Sequence, residues 1–256
     1  MKHISKYFFS AVLLLCSFFM FSQQVKKEAK KDSIPPKKER YGVRLGVDLF
    51  KLSRSLYDKD YKGLEFSGDY RLTRKYYLAA EIGNENKTTD DDQLNFTTKG
   101  SYARFGFDYN THENWLDLEN MIYIGLRYGI STFSQELNSY NVYNPHPYFD
   151  EGQEVQVGRK YGGLSASWAE AVVGLKTQVF KNTFVGFSVR LNMLLSNKKP
   201  GGFDNLYIPG FNRTYNGDFG FGFNYSVSYF LPLYKKQVKM EEKKPENKKD
   251  TKKKKK

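Results

Sequence analysis

The chain is short of the residues most often used for chemistry. Its 256 residues include one cysteine, three histidines and two tryptophans. A lone thiol excludes a disulfide framework and any cysteine-based zinc site. Only one apolar run is long, and it lies at the N-terminus, which excludes a bundle of membrane helices. Charge of one sign is scarce where a fold could form. The net charge is +13, but residues 1–40 hold nine Lys/Arg against three Asp/Glu, and residues 235–256 hold twelve Lys against four acids. The remainder, 41–234, has 20 bases and 21 acids. A globular nucleic-acid-binding domain would carry its basic residues on a folded face, so nucleic acid is not an expected partner.

The ends read simply. Lys2, His3 and Lys6 precede an apolar stretch from Tyr7 to Phe21, the pattern of a secretory signal with a cut near Ser22-Gln23. The alternative is an uncleaved anchor. Cys16 follows Leu15, where a lipoprotein signal needs a smaller residue, so the thiol reads as a small hydrophobe within the signal. Residues 23–40 are rich in lysine and contain Pro35-Pro36; such a composition cannot build a core. Residues 235–256 have the same character and end in five lysines, whose mutual repulsion keeps a chain extended. Asp32-Ser33-Ile34 resembles a short O-glycosylation acceptor of Bacteroidota.

Between these ends, apolar residues recur at every second position. Val43, Leu45 and Val47 oppose Arg44 and Asp48; Leu64 and Phe66 oppose Glu65 and Asp69; Ile122, Ile124, Leu126, Tyr128 and Ile130 oppose Tyr123 and Arg127. Such alternation is the mark of strands. It predicts eight, over 41–50, 62–72, 76–83, 101–109, 121–130, 169–179, 183–194 and 218–231. Most have about the 9–11 residues that cross a bilayer when tilted. The face opposite the apolar one carries Arg44, Asp48, Glu65, Asp69, Arg71, Glu81, Arg104, Asp108, Arg127, Glu170, Lys176, Arg190 and Asp218. The segments between strands are alternately long and short.

Two architectures fit. One is an eight-stranded antiparallel up-and-down transmembrane β-barrel over 41–234, apolar outside and charged within, with disordered basic extensions at both ends. The other is a soluble lipocalin-like carrier of the periplasm with the faces exchanged. The signal segment, the loop asymmetry and the aromatics near strand ends (Tyr70, Tyr76, Tyr77, Tyr109, Trp115, Tyr128, Trp168, Phe180, Phe184, Tyr229 and Tyr234) favour the first. An even strand count then places both termini in the periplasm.

Chemistry is sparse. His112 and His146 fall in different connections, so no shared metal site is expected. Asp90-Asp91-Asp92 lacks the spacing of a calcium loop. Ser139 and His146 could suggest a lipid-modifying pair, but their separation on a long loop argues against positioned general-base chemistry. No enzyme and no cofactor is expected. The thirteen lumen charges are nearly balanced and, in a barrel that side chains can fill, predict a paired structural plug rather than a pore. Tyr140, Tyr143, His146, Tyr148 and Phe149 are candidate recognition residues on the longest loop, and 205–211 is a second apolar loop. Expected partners are outer-membrane lipid and, through the lysine tail, cell wall or anionic lipid, with the barrel a monomer. The leading expectation is a structural or surface-interaction role; the alternative is a barrel that modifies lipid or binds a small ligand.

Several blocks carry a resemblance. Gly46-Val47-Asp48, Asp58-Lys59-Asp60-Tyr61-Lys62-Gly63, Glu81-Ile82-Gly83-Asn84-Glu85, the run Asn120–Gly129 and the run Phe203–Phe211 resemble an uncharacterised Bacteroidota family of small outer-membrane β-barrel proteins, over about residues 41–234. The resemblance implies a barrel and a lineage; it brings no catalytic residue.

Overall fold

Alternation with a period of two leaves the backbone one regular option, an extended strand with two unlike faces. The computed structural model describes residues 37–91, 93–112, 119–142, 154–201, 204–213 and 217–238. Eight strands form: β1 (Lys37–Asp48), β2 (Tyr61–Arg71), β3 (Tyr76–Asp91), β4 (Leu94–Asn110), β5 (Met121–Asn141), β6 (Glu154–Phe180), β7 (Thr183–Lys198) and β8 (Phe219–Val238). Consecutive strands pair antiparallel and the sheet closes on itself in the order β1 to β8. Closure satisfies the backbone groups that an open sheet would leave at its edges. The fold is an eight-stranded up-and-down barrel. It occupies the unit Lys38–Gln237.

The faces are sorted with charge inside. Leu45, Phe66, Ile82, Phe105, Ile124, Leu126, Val173, Leu191 and Phe221 are exposed, while Arg44, Glu65, Asp69, Glu81, Arg104, Asp108, Arg127, Glu170 and Arg190 are buried. A soluble barrel would have the reverse. Inverted polarity in a closed sheet is the architecture of a transmembrane β-barrel. No helix among the described residues is long and apolar enough to cross a membrane.

The outward face is apolar over only part of the strand length. On β5 it runs from Ile122 to Ile130 and then turns to Thr132, Ser134 and Glu136. On β3 it passes from Leu78, Ala80 and Ile82 to Asn84, Asn86 and Thr88. On β4 the change falls between Ala103 and Ser101. The strands therefore continue beyond the apolar belt as polar hairpins. This corrects the expected loop 84–100: β3 and β4 stay paired to Asp91 and Leu94. The expected loop 131–168 is likewise mostly β5 and β6. At the other end the connections are short, and the turn between β6 and β7 uses Asn182 at φ 64, a conformation asparagine tolerates well.

A helix, α1 (Leu49–Tyr57), was not expected from the sequence. The alternation of β1 runs on into Leu49 and Phe50 and hides it. Asp48 caps it by accepting the Lys51 N–H at 3.1 Å, which satisfies one of the unpaired donors of the first turn. Its polar face, with Lys51 and Ser55, turns toward the barrel interior, where Ser55 Oγ accepts the Gly63 N–H at 2.8 Å. Its apolar face turns outward: Leu56 and Tyr57 are 84% and 71% exposed. Phe50 packs on the outward-facing Phe223, with ring centroids 4.6 Å apart.

The aromatic girdle is also revised. Tyr76 and Phe180 are exposed at strand ends, and Tyr128, Tyr229 and Tyr234 are exposed farther inside β5 and β8, but Tyr77, Trp168 and Phe184 are buried inside. Trp168 shares the parity of Glu170 and so must point inward. Gly129, its register partner, makes room for it; a Cβ there would lie 2.2 Å from the indole. Trp115 lies outside the described residues.

Candidate functional site

The interior is built from alternate residues of all eight strands, and the register sets charges against one another. Glu81 of β3 stands opposite Arg104 of β4, and Arg127 of β5 opposite Glu170 of β6. At mid-barrel, Arg104 lies 3.0 Å from Glu81 and 3.5 Å from Glu170. Arg190 reaches across to Glu81 at 2.6 Å and Glu170 at 3.4 Å. Arg104 also contacts Glu65, which has no exposed surface. Trp168 donates its indole N–H to Glu170 at 2.6 Å. Toward the short-turn end, Arg127 pairs with Asp108 at 2.7 Å, and Asp69 receives Lys176 at 2.6 Å and Arg44 at 3.7 Å. The Arg44 guanidinium lies 4.3 Å over the Phe184 ring, a cation–π arrangement that suits a desolvated cation. Asp48 accepts from Asn224 at 2.7 Å. Charges removed from water are tolerable only with such partners.

Two of the expected lumen charges are placed differently. Arg71 sits near the short-turn rim, 2.7 Å from Glu39 and over the Tyr41 ring. Asp218 is exposed in the turn before β8, where its carbonyl accepts the Leu194 N–H. That placement is a correction. β8 begins at Phe219, so residue 218 lies outside the alternation that would have turned it inward.

Four groups that sequence reasoning passed over complete the interior. Lys51 of α1 reaches 2.7 Å from Glu65 and 2.6 Å from Glu85 and also donates to Tyr102. Burial opposes its charge, but the two carboxylates outweigh burial and hold its pKa above the usual lysine range. Glu85, with no exposed surface, accepts Tyr207 O–H at 2.7 Å and Gly210 N–H at 3.0 Å. Burial and this carboxylate push the Tyr207 phenol well above its ordinary value.

The segment holding Tyr207 was expected as an external apolar loop. It folds inward instead. Tyr207, Ile208 and Phe211 are almost fully buried, and Ile208 and Phe211 join one cluster with Tyr102, Phe133, Leu164, Ala166 and Trp168. Phe211 meets Trp168 edge-on, with centroids 5.8 Å apart. Gly210, at φ +83 with Tyr102 against its α-carbon, permits the reversal. The barrel is therefore filled twice, by ion pairs at mid-height and by this loop toward the hairpin end.

Of the candidate recognition residues, Tyr140 is exposed near the end of β5, in register with Leu94 and Val155. Tyr143, His146, Tyr148 and Phe149 lie outside the described residues, as do residues 1–36 and 239–256. Ser139 is buried on β5. Asp91 pairs with Arg213 at 2.9 Å. Among the described residues, no cluster of three or more His, Cys, Asp or Glu side chains is placed to hold a metal.

Three solved structures resemble this one at low identity. They are the attachment invasion locus protein Ail of Yersinia pestis (10% identity, TM-score 0.36, covering 75% of this chain and 97% of that one), Neisserial surface protein A (11%, 0.39, 76% and 99%) and CarO2 of Acinetobacter baumannii (10%, 0.35, 76% and 100%). No curated protein matches the sequence. Residues 4–236 match the family described as Domain of unknown function (DUF6048), and the chain belongs to that family.

Proposed function

We propose that this protein is a non-enzymatic outer-membrane β-barrel whose work is structural or lies at the cell surface. The observation that carries the reading is the outward belt. On β5 it spans Ile122 to Ile130 and ends abruptly at Thr132, a match to the roughly 9–11 residues a tilted strand needs to cross hydrocarbon. A charged, filled interior suits neither a pore nor a carrier. The polar hairpins would then stand outside the cell, and the short turns with both chain ends in the periplasm. Export would depend on the signal segment at residues 1–22. The sequence blocks suggest a Bacteroidota source, and the barrel would be a monomer.

The deciding experiment is heat-modifiability. Outer membranes are isolated and the protein is run on a detergent gel with and without boiling. A mobility shift in the membrane fraction is expected. Recovery in the soluble periplasm without a shift overturns the reading.

In the same scheme the lysine-rich end tethers the barrel to anionic cell wall or lipid, each lysine adding about 1 kcal/mol near such a surface. Deleting residues 239–256, which spares β8, should weaken retention on purified cell wall at low salt; unchanged retention removes the tether.

A further inference from the structure

The outward belt has a trough at its upper edge. On β4, Ala103 stands in register between Ile82 of β3 and Ile130 of β5, with Phe66 of β2 beyond Ile82. A methyl group flanked by large side chains leaves a gap. With Leu64, these residues bound an open groove of about 530 Å³ on the outside of the barrel. Its floor passes from Ala103 to Ser101, where the belt ends.

Polarity changes in step along the groove. The row of register partners at its end is Leu64, Asn84, Ser101 and Thr132, and Asn84 Nδ2 donates to Ser101 Oγ at 2.9 Å. One row farther from the belt come Lys62, Asn86, Lys99 and Ser134. Lys62 and Lys99 are exposed, and neither makes an ion pair among the described residues. They lie two strands apart, about 10 Å between backbones, a span that two long flexible side chains can close on one phosphate.

We infer that this groove is a site for a phosphorylated glycolipid of the surrounding membrane. One acyl chain lies over Ala103 between Ile82 and Ile130. Sugar hydroxyls meet Asn84, Ser101 and Thr132, and a phosphate sits between the Lys62 and Lys99 ammonium groups. The charge complementarity and the continuity with the apolar belt select a lipid over a protein partner. The inference rests on the membrane reading above.

The test uses the full chain in phosphatidylcholine nanodiscs doped with lipid A, with retained lipids counted by native mass spectrometry. The wild type should keep one lipid A in preference to phosphatidylcholine. Ala103→Phe fills the trough and should abolish that preference. Ala171→Phe, outward between Leu126 and Leu191 on β6, should leave it intact. Lys62→Ala and Lys99→Ala should each weaken retention roughly fivefold, with less effect at high salt. No preference in the wild type, equal retention by Ala103→Phe, or equal loss in Ala171→Phe overturns the inference. The heat-shift gel on the same samples separates the two claims. Failure to insert removes the membrane reading, whereas insertion without preference removes the groove alone.

Discussion

Lys51 Nζ lies 2.6 Å from Glu85, and through that contact α1 and the inward loop before β8 share one carboxylate. The other Glu85 oxygen takes Tyr207 and Gly210. Removing Glu85 leaves the Lys51 ammonium with Glu65 as its one carboxylate and leaves the buried Tyr207 phenol with only a longer contact to Asn212 at 3.3 Å. Glu85→Ala should therefore cost about 3–5 kcal/mol and loosen the loop. Lower guanidinium midpoints and new protease cleavage within 204–213 are the expected readouts. Unaltered cleavage would show that the apolar cluster alone holds the loop.

The same ammonium gives a pH dependence. Its pKa is raised in the folded protein. A raised value stabilises the fold below the unfolded pKa, about 10.4 for lysine, and that contribution is lost as pH climbs through the folded value. The stability difference between wild type and Lys51→Met should hold steady from neutral pH to about 10 and shrink only above it. Denaturant midpoints across that range check the sign. A difference that shrinks below pH 9 contradicts it.

Arg104 and Arg190 share the same three carboxylates, Glu65, Glu81 and Glu170, and Arg104 lies closer to Glu65. Arg104 faces all three, so Arg104→Met leaves three carboxylates with fewer counter-charges. The expected cost is again about 3–5 kcal/mol. Adding Glu170→Gln should recover part of it, because one surplus anion is removed. The double-mutant cycle isolates that coupling; strict additivity would mean the pair is indifferent.

The face of each strand was legible because one alternation repeats through all eight. Glu170 and Trp168 share parity, so the sequence already turned that indole inward, although its place near a strand end suggested a girdle. Strand length was less legible. Asn84, Asn86 and Thr88 alternate with Glu85 and Lys87, polar against polar, and nothing in such a pattern separates a protruding hairpin from a loop. α1 left a fainter trace, with Leu49, Leu52 and Leu56 at helical spacing directly after a strand. The inward loop left none. Tyr207, Ile208 and Phe211 are as apolar as a surface anchor would be, and only the cavity under Tyr102 and Trp168 decides their direction.

Phe211 is fully buried against Trp168. Phe211→Ala should open a cavity costing about 3–5 kcal/mol and let water approach the indole. In a Trp115→Phe background, emission from Trp168 should shift to longer wavelength and become quenchable by acrylamide. Emission unchanged from the parent would mean that neighbouring side chains collapse into the space.

The outward face of α1 tests where the bilayer ends. Phe50 packs on Phe223, which belongs to the apolar belt, and Leu52, Leu56 and Tyr57 continue outward from it, exposed among the described residues. Short amphipathic helices with this polarity bury their apolar side near the headgroups. Leu56→Trp in the Trp115→Phe background, in nanodiscs, should be quenched by lipids brominated near the carbonyl end of the chain more than by those brominated near the terminal methyl. Trp168, inside the barrel, should respond to neither. Quenching of residue 56 by aqueous acrylamide but by no lipid would put the helix clear of the membrane and lower the boundary to the row of Asn84 and Thr132.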